Sequence, residues 1–155
     1  MTALLPASLA DPGPASPWPA RFLVLYGLFW IVPGLIHAFL PDGGIGSIGG
    51  IDMSQGFAPL RAMAAWAGAT QIVHGLACVI VGLRYRALVP LFLALGLVER
   101  AIMTWSAWYA HLSPSGHHPP AHYGDLVALP LLALFLWLAL RGQSARVSAS
   151  YRSRW

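Results

Sequence analysis

The chain has 155 residues, 57% of them hydrophobic and only 9% charged, with a formal net charge of +4. Soluble domains carry about 25% charged residues, so this composition excludes an ordinary water-soluble fold. The single cysteine, Cys78, excludes an intramolecular disulfide and a dithiol redox motif. The basic residues, all Arg, form no polar basic run, which argues against nucleic-acid binding.

Residues 1–20 lack a basic start and are broken by Pro6, Pro12, Pro14, Pro17 and Pro19. They read as a disordered tail, not as a cleavable signal. A helix needs roughly 20 apolar residues to cross the hydrocarbon core. Residues 22–40, 57–83 and 88–109 meet that need, and 126–140 do so once Gly124 and Asp125 are counted at the interface, giving 124–140. Lipid offers no partner to backbone N–H and C=O groups, so each stretch is predicted to be a helix. Pro33 and Pro130 fall inside their helices and predict kinks, whereas Pro59 and Pro90 fall in first turns, where proline is tolerated. The predicted fold is an all-α four-helix transmembrane bundle spanning 21–141, followed by a basic tail at 142–155.

Positive charge sets orientation. Arg21 precedes the first span, Arg84 and Arg86 lie between the second and third, and Arg141, Arg146, Arg152 and Arg154 follow the fourth. With four spans these all fall on one side, which places both termini in the cytoplasm. The other two loops hold Asp42, Asp52, Asp125 and four histidines but no Arg. Trp18, Trp108, Tyr109, Tyr123 and Trp137 suit the interfacial belts. Enrichment in Arg, Ala, Gly and Pro points to a GC-rich bacterial genome, hence to a multi-pass protein of a bacterial inner membrane. Gly27 and Gly34, like Gly68 and Gly75, are spaced for close helix approach. The second and third helices, joined by a very short turn, are expected to be antiparallel neighbours.

Ionisable groups inside a span are costly and mark functional sites. Counting a rise of about 1.5 Å per residue places Gln71, His74, Glu99 and Arg100 in one layer near the bilayer centre. Gln71 and His74 share a helix face. Two roles fit. The layer fixes packing, with Arg100 held by another carboxylate or by carbonyls; or it lines a cavity in which Glu99 and His74 form an acid/base pair. Nearer the outer face, His37 and Arg61 flank a glycine-rich loop with Asp42 and Asp52, where Arg61 is expected to meet an Asp or to snorkel. That loop reads as a solvated connector or as a flexible lid.

The last polar cluster is His111-Leu112-Ser113-Pro114-Ser115-Gly116-His117-His118-Pro119-Pro120-Ala121-His122-Tyr123-Gly124-Asp125. His111, His117, His118 and His122 are candidate ligands for zinc or copper, although their spacing matches no established zinc pattern. Asp125 reads as the N-cap of the fourth helix. Trp30, Trp66, Trp105, Trp108 and Trp137 are candidates to line a pocket for a flat lipid or quinone.

The Tyr26-Gly27-Leu28-Phe29-Trp30 entry, and the Leu60-Arg61-Ala62 start after a glycine-rich loop, resemble the small DoxX-like four-helix membrane families. The resemblance implies association with membrane redox or quinone-linked systems, with no settled catalytic mechanism. The expected function is an accessory or ligand-binding membrane protein rather than an enzyme. It would contact the bilayer, a partner membrane protein or a second copy, and would hold a lipid or quinone at Gln71, His74, Glu99, Arg100, His37 and Arg61. The alternatives are an acid/base enzyme on a lipid-like substrate through Glu99 and His74, and an outward-facing histidine metal site.

Overall fold

A computed structural model describes residues 4–6, 8–10, 13–110 and 116–152. Four helices form a bundle: α1 (Trp18–Phe39), α2 (Phe57–Arg84), α3 (Val89–Trp105) and α4 (Pro120–Arg152). A 3₁₀ turn at Arg86–Leu88 leads into α3, and a π turn at Ser106–Ala110 extends it. All four are long and apolar enough to cross a membrane. Only 17% to 39% of the most apolar stretch of each span is buried within the protein. The remaining oily surface, including Phe29, Val73 and Ile102, faces outward and requires lipid. This is a multi-pass integral membrane protein.

Helix limits differ from the sequence expectation at both ends. The first helix starts at Trp18, and the segment before it is packed: Pro14 is buried and Arg86 Nη2 donates to the Ser16 carbonyl at 3.4 Å. The fourth starts at Pro120, since a proline pre-sets the first turn, and continues to Arg152.

The tightest helix pair is α1 with α2, and glycine is the reason. A Cβ on Gly27 would sit 2.5 Å from the Gly75 carbonyl oxygen, and one on Gly75 would sit 2.6 Å from the Gly27 carbonyl oxygen. Gly34 and Gly68 face each other in the same way, and Gly82 lies against the Ala20 carbonyl. Each helix thus presents a small residue every seventh position, and the two series run in opposite directions. The register is fixed because a shift would drive side chains into backbone. Cys78 and Leu23 are fully buried beside this contact.

Helices α3 and α4 form the second hairpin, and α2 meets α3 only lightly. The expectation that α2 and α3 pack as close neighbours is thus corrected: the short turn joins two hairpins, and each of these helices packs mainly on its other partner. The glycine face of α2 is committed to α1, and its opposite side carries larger residues. The hairpins meet through α1: Phe22 stacks on Phe135 at 4.1 Å, and Tyr26 lies against Gly96. Leu93, Leu132 and Ala139 complete the core.

Replacing Gly75 by Val should lower the unfolding midpoint in detergent strongly, because a backbone oxygen cannot yield as a side chain can; about 3 kcal/mol is expected, the upper end for overpacking. Gly124→Ala, with nothing within 4 Å of the new methyl, should be neutral or raise the midpoint through helix propensity. Equal midpoints for the two variants would contradict the glycine register.

Candidate functional site

Adjacent residues on a helix point about 100° apart. On α3 this separates Glu99 from Arg100: Arg100 turns into the bundle and is 2% exposed, while Glu99 turns toward α2. Arg100 Nη1 donates to Asp125 Oδ1 on α4 at 2.5 Å. Its guanidinium lies 3.8 Å from the centre of the Trp30 ring on α1, a cation–π contact. Its Nη2 is 3.5 Å from Glu99 Oε1. Glu99 Oε2 in turn is 3.6 Å from His74 Nε2 on α2. The His74 ring is edge-on to Trp30, with centroids 6.4 Å apart. All four helices thus converge on one guanidinium.

The expected layer of His74, Glu99 and Arg100 is brought together, and Gln71 lies one turn along the same helix with its Oε1 buried. Asp125 joins them and is no N-cap: α4 starts five residues earlier, and the carboxylate lies inside the helix against Arg100. It is the partner carboxylate that the packing reading required. Of the tryptophans proposed to line a pocket, only Trp30 enters the layer. Trp66, Trp105 and Trp137 face outward.

Much of this layer's hydrogen-bonding capacity is unused. Among the described residues, the buried side-chain atoms without a hydrogen-bond partner are Trp30 Nε1 and Tyr26 Oη on α1, Gln71 Oε1 and His74 Nε2 on α2, and Glu99 Oε2, Arg100 Nε and Thr104 Oγ1 on α3, together with Trp108 Nε1. Buried polar groups are paired in the great majority of cases, so a concentration of unpaired ones around one guanidinium sets this region apart. His74 and Glu99 are also its accessible members, with side chains 30% and 36% exposed. They lie on different hairpins, His74 on α2 and Glu99 on α3.

His37 and Arg61 belong to a different cluster, at the end of the bundle that holds the two long loops. Arg61 bonds neither Asp. It donates to the carbonyls of Ala38 and Pro41 at 3.0 Å and of His37 at 3.4 Å, closing the C-terminus of α1. Helix ends leave carbonyls unsatisfied and bear partial negative charge, which suits a guanidinium. His37 Nδ1 contacts the Gly43 carbonyl at 2.6 Å. Asp42 accepts the N–H groups of Gly44, Gly46 and Ser47. Those bonds, Ser47 first and Gly44 next, hold its carboxyl down at about 2. Asp52 is lowered by the Ser54 N–H. The glycine-rich loop is therefore a built turn, with Gly43, Gly44 and Gly50 at positive φ.

The histidine segment docks on this loop: His117 Nε2 contacts the Gly49 carbonyl at 2.7 Å. His118 stacks on Trp108 at 4.0 Å, and its Nδ1 is 3.2 Å from Nδ1 of His122. Trp108, in the π turn, thus packs against the histidine segment. Among the described residues no three His, Cys, Asp or Glu are grouped to hold a metal ion. His111 lies outside the described residues.

No protein-family model, curated protein or solved structure matches the chain. The DoxX-like resemblance is not supported by these comparisons, and no function is carried across it.

Removing one partner of a buried ion pair costs about 3–5 kcal/mol, because the other charge is left uncompensated. Arg100→Leu and Asp125→Asn should each destabilise the protein by that order in detergent unfolding. The Arg100→Leu/Asp125→Leu pair should recover part of the loss, so a double-mutant cycle with no coupling would refute the pairing. For Asp42, a depressed carboxyl stabilises the loop above the unfolded value of about 3.9. That contribution is lost as pH falls toward about 2. Hydrogen exchange at Gly44, Gly46 and Ser47 should stay protected at pH 4, and Asp42→Asn should abolish the pH dependence.

Proposed function

We propose that this is an inner-membrane protein, with both termini in the cytoplasm, that holds a small amphipathic molecule at the seam between its two hairpins. The observation that carries the reading is the set of unpaired buried polar atoms around Arg100, with His74 and Glu99 at its accessible edge. Binding sites for small molecules combine an apolar wall with a few convergent polar groups. Here the walls are helix faces already in contact with hydrocarbon, so a lipid or quinone tail can lie along the seam. Trp30 Nε1 supplies an N–H donor to a head-group oxygen; Gln71 Oε1 and Glu99 Oε2 supply acceptors. The Arg100–Asp125 pair holds the layer in place and is not itself available to the ligand. His37 and Arg61 act at a distance, by fixing the loop end.

Native mass spectrometry of the gently purified protein tests this. One small molecule per chain should be retained. His74→Ala and Gln71→Ala should reduce its occupancy at least tenfold while leaving the fold intact, as judged by circular dichroism. Undiminished retention in both variants would move the ligand elsewhere. Absence of any retained molecule, together with failure of added decylubiquinone or phospholipid to change tryptophan fluorescence, would end the proposal.

A further inference from the structure

The formal charges of the buried layer do not cancel. Arg100 contributes one positive charge; Asp125 and Glu99 contribute two negative ones. The other groups facing the layer are Tyr26 and Trp30 on α1, Gln71 and Cys78 on α2 and Thr104 on α3, none of them charged in the ordinary range below pH 8. His122, one turn before Asp125 on α4, is the further titratable group nearby, and its ring is engaged by His118. With neutral His74 the layer is left one charge negative near the middle of a membrane. A single proton balances it.

We infer that the His74–Glu99 contact across the hairpin seam is a one-proton binding site, and that its occupancy fixes the charge of the head group the layer accepts. The inference rests on the ligand-binding reading of the same site. Asp125 is committed to Arg100 at 2.5 Å. Glu99 is the looser carboxylate, 3.5 Å from Arg100 and 3.6 Å from His74, with Oε2 buried and facing His74 without a hydrogen bond. Protonation of either the imidazole or the carboxyl gives the same neutral layer, so the proton belongs to the pair. With the proton in place the layer accepts an uncharged head group. Without it, an organic cation balances Glu99. An anion such as a phosphate monoester is disfavoured in both states, because Arg100 is already neutralised. The two partners lie on different hairpins, so the proton also sits where ligand entry must part them.

Two measurements on the full-length protein in nanodiscs test this. The first is the infrared and potentiometric titration of wild type minus Glu99→Gln between pH 5 and 9. One proton per chain should appear in the difference. His74→Gln should keep that proton, now seen as a carboxylic acid band, whereas a structural contact would lose its effect in both variants alike. The second compares three probes of equal chain length: decylubiquinone, decyltrimethylammonium and decyl phosphate. The cation should bind about tenfold more tightly per pH unit as pH rises toward the midpoint, releasing one proton, and level off above it, and Glu99→Gln should abolish that slope. Decyl phosphate should not bind. Binding of decyl phosphate equal to that of the other probes, a pH-independent cation affinity, or an unchanged titration in Glu99→Gln would overturn the inference and leave the ligand-binding reading standing. A titrating proton with none of the three probes bound would overturn the ligand-binding reading and the inference with it.

Discussion

A guanidinium in the middle of a membrane helix must be neutralised, and the arrangement of this bundle follows from how that is done for Arg100. Its charge meets Asp125 from α4, the Trp30 face from α1 and, at longer range, Glu99, which leads to His74 on α2. Lipid gives helices little hydrophobic reason to associate. The Arg100–Asp125 pair ties α3 to α4 within one hairpin, and the Arg100–Trp30 and Glu99–His74 contacts carry that link across to the other. The contact with the tryptophan face adds a planar constraint that a lysine would not satisfy.

Two kinds of interaction divide the work. Within the α1–α2 hairpin, backbone approaches backbone at the glycines, and the seven-residue series gives a contact with no slack. Between the hairpins the link is electrostatic and aromatic, and α2 meets α3 lightly. The more lightly packed boundary between the hairpins is the one that carries His74 and Glu99.

Hydropathy is a local property, so the four spans and the all-α bundle could be read from the residues. That Gln71, His74, Glu99 and Arg100 share a depth could be read as well, because depth follows from helix rise alone. Helix pairing could not: Gly27, Gly34, Gly68 and Gly75 were visible as small residues, but which helix each series faced depends on a register that no single segment encodes. Asp125 was misread because an acidic residue ahead of an apolar run is a valid local cap signal. The chain has only five acidic residues, and a count of those able to reach Arg100 would have pointed to it. The targets of Arg61 were hidden for a different reason: they are backbone carbonyls, which leave no mark in sequence.

The two polar clusters differ in a way that bears on which of them is the working site. At the loop end, Arg61, Asp42, Asp52 and His37 are each bonded to nearby backbone or side chains, although a loop outside the membrane has water to satisfy them. In the buried layer, where water is scarce and an unpaired group is most costly, Trp30, Gln71, His74 and Glu99 each leave a polar atom unmatched. The loop cluster holds α1 and the histidine segment in place through bonds already made, whereas the layer around Arg100 keeps unmatched donors and acceptors, the feature on which the ligand-binding proposal rests.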